Sequence, residues 1–152
     1  MLLADVVATS AAVAATRSRT AKIEALAGLL TRCSPAELAP VVGFLTGVPR
    51  QGRVGVGWST LVDARSSALM QPTIGGSLTV ADLDNVITAV EATSGPGSAG
   101  ARRRALADVF ARASEDETDF VIRLLGGELH HDGLGRAGVS CERCAGRRCR
   151  VP

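Results

Sequence analysis

The segment Ser34-Pro35-Ala36-Glu37 carries three signals for the start of an α-helix. Its serine side chain can accept a hydrogen bond from a first-turn amide, and its glutamate can reach back to the serine amide. Proline suits the first turn because its missing N–H group is not needed there. The apolar residues that follow recur at helical spacing, namely Leu38, Val41, Val42 and Leu45. The segment therefore predicts a helix with one buried face.

The same periodicity predicts helices on both sides of this segment. Towards the N-terminus, apolar spacing indicates one helix over residues 2–15 and a second with apolar positions from Ile23 to Cys33. Towards the C-terminus, a turn-rich region follows, and a short helix is expected from Trp58 to about Asp63. Residues 64–77 are expected to form a loop because they contain Pro72, Gly75 and Gly76.

Three polar residues mark later helix starts. Thr79 precedes an apolar periodic run, Ser98 is expected to cap the helix that runs through Phe110, and Ser114 begins a second capping box. No segment shows the alternation typical of a strand. The sequence therefore predicts an all-α fold of about seven short helices around one core.

Composition supports this fold class. The chain has 152 residues, of which 46% are hydrophobic and 21% charged, as in a single globular domain. Aromatic residues make up only 3%, which argues against an all-β sandwich or barrel. No apolar run reaches the ~18 residues that a membrane-spanning helix requires.

The charge is unevenly distributed along the chain. Residues 130–152 hold five arginines and two acidic residues, a net charge of +3, whereas the whole chain carries +2. Residues 1–129 therefore carry −1, which argues against tight binding of nucleic acid by charge alone. Lys22 is the only lysine in the chain, so a mechanism that needs a lysine nucleophile has one candidate.

The N-terminal region does not resemble a secretory signal. Met1–Ala15 is apolar, but a signal peptide has its positive charge before the apolar run, whereas Arg17 and Arg19 follow it and Asp5 lies inside it. Cys33 stands far from the other three cysteines, which does not indicate a disulfide framework. These features predict a cytoplasmic protein.

Residues 130–152 allow three interpretations. His130-His131 together with Cys141, Cys144 and Cys149 could supply zinc ligands, although a single Cys-x-x-Cys pair is weak evidence. The abundance of glycine and arginine is typical of a disordered basic tail. A third hypothesis is that the tail is read out of frame, which the nucleotide sequence of the gene would test.

Several arginines are candidates for contacts with phosphate groups. Arg50 and Arg53 lie among glycines, which let a backbone approach a phosphate closely. The cluster Arg102-Arg103-Arg104 could neutralise phosphates or form a solvated helix face. Trp58 could stack on a base, although tryptophan is more often a core residue. No P-loop and no catalytic constellation is found, so no catalytic residue is expected.

In the order of its segments, the chain resembles the N-terminal DNA-binding domain of ATP-dependent DNA ligases, especially the actinobacterial and archaeal-like type. The segments that carry the resemblance are Leu3–Val6, Thr16–Glu24, Ser34–Leu38, Gly52–Gly57, Ser94–Ser98 and Phe120–Leu129. The match covers residues 1–129, and residues 130–152 are expected to form a separate irregular tail. In this family the domain is all-helical and grips duplex DNA across the minor groove on either side of a nick.

The resemblance implies a set of DNA-binding residues, which are Arg19, Arg53, Gly55, Gly57, Ser98, Arg102, Gly127 and His130. Contact of this kind with the DNA backbone is independent of sequence and sensitive to salt. The family continues its Gly-Glu-Leu segment with a basic residue, a glycine and another helix, whereas here Leu129 is followed by His130-His131-Asp132.

The resemblance also implies that this chain stops before the nucleotidyltransferase domain. Ligases of this type attach AMP to the lysine of a Lys-x-Asp-Gly motif and use ATP and magnesium, but Lys22 is followed by Ile23-Glu24-Ala25. We therefore expect duplex DNA as the partner, no cofactor in this chain and no ligation by it alone. A separately encoded catalytic chain is a further expected partner. The alternative is a non-enzymatic helical interaction module with a zinc-binding Cys/His tail.

Overall fold

The structure is a computed structural model that describes residues 1–52, 54–70 and 77–129. Within these ranges it contains helices and no strand, which confirms the all-α prediction. The helices are α1 (Leu3–Ala15), α2 (Arg19–Leu30), α3 (Pro35–Thr46), α4 (Trp58–Leu69), α5 (Val80–Ala92), α6 (Ser98–Phe110) and α7 (Glu115–Gly126). In the part of the chain that is described, no helix has the length and hydropathy needed to cross a bilayer.

Local capping explains where three of these helices begin. At α7, the Ser114 amide donates to the Glu117 carboxylate over 2.8 Å, and the Glu117 amide donates to the Ser114 hydroxyl oxygen over 3.2 Å. Thr79 and Asp82 make the same reciprocal pair at the start of α5. At α3, the amide and hydroxyl of Ser34 both donate to the Glu37 carboxylate. The predicted starts of α3, α5 and α7 are therefore confirmed.

The prediction for α4 was wrong, because the helix continues through Leu69 where a loop was expected. Ala64 and Ala68 lie one helical turn apart and are both buried. Small side chains at this spacing let two helices approach closely, and α4 makes its most extensive contact with α6. Residues 71–76, the rest of the expected loop, lie outside the described residues.

Three smaller expectations were also wrong. Ser98 does not cap α6: it is the first helical residue, and the cap position is taken by Gly97, whose φ is +83°. Trp58 is not a core residue, since 59% of it is exposed. Leu38 and Val42 of α3 are exposed, although Val41 and Leu45 are buried as expected.

The core is formed by apolar side chains from most of the helices. The fully buried members include Leu3, Phe44, Leu83, Ile87, Leu106 and Phe120. The start of α1 is joined to the start of α5 by two backbone hydrogen bonds, from the Leu3 amide to the Leu78 carbonyl over 2.8 Å and from the Val80 amide to the Met1 carbonyl over 3.1 Å. The first residues of the chain thereby pack against a segment nearly eighty positions away.

The ends of α3 and α7 meet through Gly47. This residue ends α3 with a φ of +76°, a conformation that favours glycine. A Cβ atom at Gly47 would lie 2.5 Å from the carbonyl oxygen of Leu129, so the two backbones touch. The segment after α3 and the segment after α7 are therefore held side by side.

Candidate nucleic-acid interface

The turn that follows α3 is held on α5 by one buried carboxylate. Asp84 is only 6% exposed and accepts hydrogen bonds from Arg50, whose Nε lies 2.7 Å from Oδ1 and whose Nη2 lies 2.5 Å from Oδ2. The side-chain amide nitrogen Nε2 of Gln51 donates to the same Oδ1 over 2.9 Å and to the Thr88 hydroxyl oxygen over 2.8 Å. The hydrogen bonds from Arg50 lower the pKa of Asp84, although burial acts in the opposite direction.

This pairing changes the interpretation of Arg50. The sequence suggested Arg50 as a phosphate contact, but its guanidinium charge is compensated by Asp84 and the two groups form a forked pair. Arg50 therefore fixes the turn rather than presenting a free charge. Asp84 was not among the predicted site residues, and the available signal was an acidic residue between Leu83 and Ile87 on an apolar helix face.

The far end of the same turn is held by Arg102 on α6. Its Nη1 donates to the carbonyl oxygen of Gly55 over 3.2 Å. Its Nε and Nη2 donate to the carbonyl oxygen of Thr93, at 3.1 and 2.5 Å. Arg102 thus connects the residues that precede α4 with the residues between α5 and α6.

The starts of α4 and α6 are brought together by this connection, and neither has a side-chain cap. Their cap residues are Gly57 and Gly97, in contrast to the polar caps of α2, α5 and α7. Within the described residues, four first-turn amides have no acceptor, those of Trp58, Ser59, Ala99 and Gly100. Amides at a helix N-terminus carry partial positive charge and can bind an anion such as a phosphate.

A cleft of about 460 Å³ is lined by the residues that precede α4. One wall is formed by residues 47–49, Gly52 and residues 54–56, and the other by the C-terminal end of α7. Gly55 has a φ of +63° and no atom within 4 Å of the position that a Cβ would take, so its backbone is open to solvent. Gly127 lines the opposite wall, and the cleft therefore brings two of the predicted residues together.

The predicted residues fall into three groups. Gly55, Gly57, Ser98, Arg102 and Gly127 lie around the paired helix starts and the cleft. Arg19 is the first residue of α2, which packs chiefly on α1, so it belongs to another part of the surface. Two predicted residues lie outside the described residues, Arg53 and His130.

Two further arginines of α6 remain exposed next to this cluster. Arg103 has no hydrogen-bond or ion-pair partner among the described residues, and Arg104 donates only to the carbonyl of Gly100 over 3.4 Å. Of the cluster Arg102-Arg103-Arg104, the first residue positions the backbone and the other two present their charge to solvent.

The zinc interpretation involves residues that the structure does not describe. Its expected ligands are Cys141, Cys144 and Cys149, all outside the described residues. Within the described ranges, no three histidine, cysteine or acidic side chains are grouped in a way that could hold a metal ion. The zinc-binding tail therefore stays a prediction.

The chain is similar in sequence to several curated proteins named probable DNA ligase. It is 49% identical to one from Rhodococcus jostii (strain RHA1) over 88% of the chain, and 48% identical to one from Saccharopolyspora erythraea over 95%. A relative from Sorangium cellulosum (strain So ce56) is 48% identical, and that alignment spans 100% of the chain. No protein-family model and no solved structure matches the chain.

These alignments span only part of each relative. The chain covers 26%, 27% and 28% of the lengths of the three relatives, in the order given. The identity along nearly the whole chain confirms the resemblance to DNA ligases. The alignment with the Sorangium protein includes residues 130–152, and the out-of-frame origin of the tail stays a hypothesis for the gene sequence to test.

Proposed function

This chain is homologous to proteins named probable DNA ligase and covers about a quarter of their length, and from this premise we propose that it binds duplex DNA. The binding surface is the cluster of Gly55, Gly57 and Ser98 at the paired starts of α4 and α6, with Gly127 across the cleft. DNA replication, recombination and repair are the proposed setting, and the cytoplasm the proposed location.

The observation that carries this proposal is the pairing of two helix starts with glycine caps. Backbone amides recognise phosphate groups without reading base edges, so the proposed binding is independent of DNA sequence. Arg103 and Arg104 add positive charge to α6, one of these two helices. Because residues 1–129 carry a net charge of −1, the proposed affinity is modest. Its salt dependence comes from the phosphate contacts of Arg103 and Arg104.

Fluorescence anisotropy with a labelled nicked duplex tests this proposal. At low salt we expect saturable binding, with a Kd on the order of micromolar that is the same for unrelated sequences and weakens linearly in a log–log plot against salt. Arg103→Gln should weaken binding about threefold through loss of one phosphate contact. Arg32→Gln is the matched control, since this exposed arginine lies beyond α2, where it pairs with Asp5 and donates to the carbonyl of Gly28. Absence of binding at high micromolar protein would refute the proposal.

Ligation by this chain alone is not part of the proposed function. The family's AMP-carrying lysine lies in a Lys-x-Asp-Gly motif, and Lys22, the only lysine, is followed by Ile23-Glu24-Ala25. Incubation with labelled ATP and magnesium should leave the protein unlabelled. We propose that sealing requires a nucleotidyltransferase region supplied in the same polypeptide or by a separate catalytic chain. A labelled protein band would contradict this part of the proposal and leave the DNA-binding test unaffected.

A further inference from the structure

A second concave surface lies between α1, α4 and α7, and its volume is about 940 Å³. Its walls are apolar, and its border carries charged residues of α7, so we call it the acidic groove. The apolar residues are Val7, Ala8 and Ala11 of α1 and Trp58, Val62 and Leu69 of α4. The residues from α4 recur on one helical face from Trp58 to Leu69, a span of about 16 Å.

The apolar part of the acidic groove is strongly exposed. Leu69 is 80% exposed, and Trp58 and Val62 are 59% and 42% exposed. Single exposed apolar residues are ordinary, but three of them along one face of one helix, opposite an apolar face of α1, form a contiguous patch. Such a patch is stabilised when another apolar surface covers it.

The charges around the acidic groove define what can cover it. Four carboxylates line it, but Glu117 is buried and accepts the Ser114 amide, and Asp119 is paired with Arg65 over 2.7 Å. The carboxylates left to face a partner are those of Asp116 and Glu128, against the single arginine Arg123, and Arg65 also lies 3.4 Å from a further carboxylate, that of Glu115. The surplus of negative charge repels nucleic acid and attracts a basic partner.

We propose that the acidic groove is a docking site for a basic amphipathic helix of a separate protein. The apolar residues of the partner, spaced i, i+3, i+4 and i+7, pack against Trp58, Val62 and Leu69. Its flanking lysine and arginine side chains lie opposite Asp116 and Glu128. The assignment rests on charge complementarity and exposed apolar area, and it does not depend on the proposed binding of DNA.

The only tryptophan of the chain reports on this proposal directly. The chain has one tryptophan and no tyrosine, so its intrinsic emission at 295 nm excitation comes from Trp58 in the acidic groove. The full chain is titrated with a synthetic leucine/lysine helix of about 14 residues, long enough to place three turns in the groove. We expect a saturable blue shift of the Trp58 emission with a Kd on the order of 10 μM. A leucine/glutamate peptide with the same apolar spacing should bind at least about tenfold more weakly.

Two sets of variants separate specific docking from general attraction. Leu69→Ser should weaken the leucine/lysine peptide about fivefold through loss of apolar contact area. Ile23→Ser is its matched control, because Ile23 is 57% exposed on α2, outside the acidic groove, and this change should leave binding unaltered. Asp116→Asn combined with Glu128→Gln should weaken the peptide and flatten its salt dependence.

Several results would overturn the proposal. These are an emission spectrum that does not respond to the leucine/lysine peptide, equal affinity for the acidic peptide, and equal losses in Leu69→Ser and Ile23→Ser. A blue shift that grows with protein concentration alone, together with a dimer in sedimentation, would assign the acidic groove to a second copy of this chain. Weaker binding of nicked DNA by Leu69→Ser would assign the acidic groove to nucleic acid, because Leu69 lies at the opposite end of α4 from the proposed DNA-binding surface.

Discussion

The guanidinium group of Arg102 donates a hydrogen bond to the backbone carbonyl of Gly55, 3.2 Å away and 47 positions earlier in the chain. The same side chain holds the carbonyl of Thr93, which precedes α6. One residue therefore sets the relative position of the turn before α4 and the turn before α6. Preorganised backbone of this kind binds a ligand without first losing conformational entropy.

Replacement of Arg102 by lysine separates this positioning role from its charge. Arg102→Lys keeps the charge but loses the fork that reaches two carbonyl groups, so we expect DNA affinity to fall about fivefold and stability by about 1–2 kcal/mol. Arg103→Lys, one residue along α6, should change DNA affinity by less than about twofold and the free energy of unfolding by less than about 0.5 kcal/mol. Anisotropy and urea unfolding measure the two effects. If both lysine variants behave alike, Arg102 contributes charge only.

The buried carboxylate of Asp84 predicts a loss of stability in acid. Its pKa is lowered in the folded protein by hydrogen bonds from Arg50, whereas it returns to about 3.9 in the unfolded chain. The unfolded state therefore binds the proton first, and the contribution of Asp84 is complete above about pH 5 and is lost as the pH falls through the folded-state pKa. Burial opposes this effect without reversing it.

The variant Asp84→Asn measures that contribution. At pH 7 we expect a loss on the order of 2 kcal/mol, less than for a fully buried pair because the Arg50 side chain is 50% exposed and can be rehydrated. The difference from the unsubstituted chain should shrink as the pH is lowered from 5 to 2. Asp63→Asn, at an exposed carboxylate of α4, is the control. A difference that stays constant over this range would contradict the assignment.

Helix starts could be predicted from the sequence because their signals are local. A cap such as Ser114 and its partner Glu117 lie within four residues, so both partners of the hydrogen bonds that define the helix start can be found in one short segment of sequence. The extent of α4 could not be predicted in this way. Ala64 and Ala68 give a weak apolar pattern, and the packing of α4 against α6 stabilises the helix that contains them.

Electrostatic roles in the candidate site were harder to predict, because they depend on distant partners. In the sequence, Arg50 lies near glycines and resembles a free phosphate ligand. Its charge is compensated by Asp84, which lies 34 positions away and therefore gives no local signal. Arg102 looks equally free, but its acceptors are backbone carbonyls, which have no sequence signature. Gly55 and Gly127 were predicted from the resemblance, and both have the positive φ that glycine adopts more readily than other residues.

The two serines near helix starts should respond differently to replacement by alanine. Ser114 accepts a hydrogen bond from the Glu117 amide, so Ser114→Ala should cost about 1 kcal/mol. Ser98 makes no side-chain cap at α6, so Ser98→Ala should change stability by less than about 0.5 kcal/mol. Thermal unfolding measures both, and the first change corresponds to a Tm shift of about 3–6 °C. Equal shifts would show that Ser98 caps α6 in solution.

Two glycine-to-alanine changes should have opposite signs. Gly47 has a φ of +76°, and an added Cβ would lie 2.5 Å from the Leu129 carbonyl, so Gly47→Ala combines backbone strain with a clash between the ends of α3 and α7. We expect a loss of at least about 2 kcal/mol. Gly28 lies in α2 with no atom within 4 Å of its Cβ position, so Gly28→Ala should stabilise the protein by about 0.5–1 kcal/mol. Urea unfolding of both variants tests the pair. Gly47 also lines the cleft of about 460 Å³ that is part of the proposed DNA-binding surface. Gly47→Ala should therefore weaken DNA binding as well, whereas Gly28→Ala should leave it unchanged.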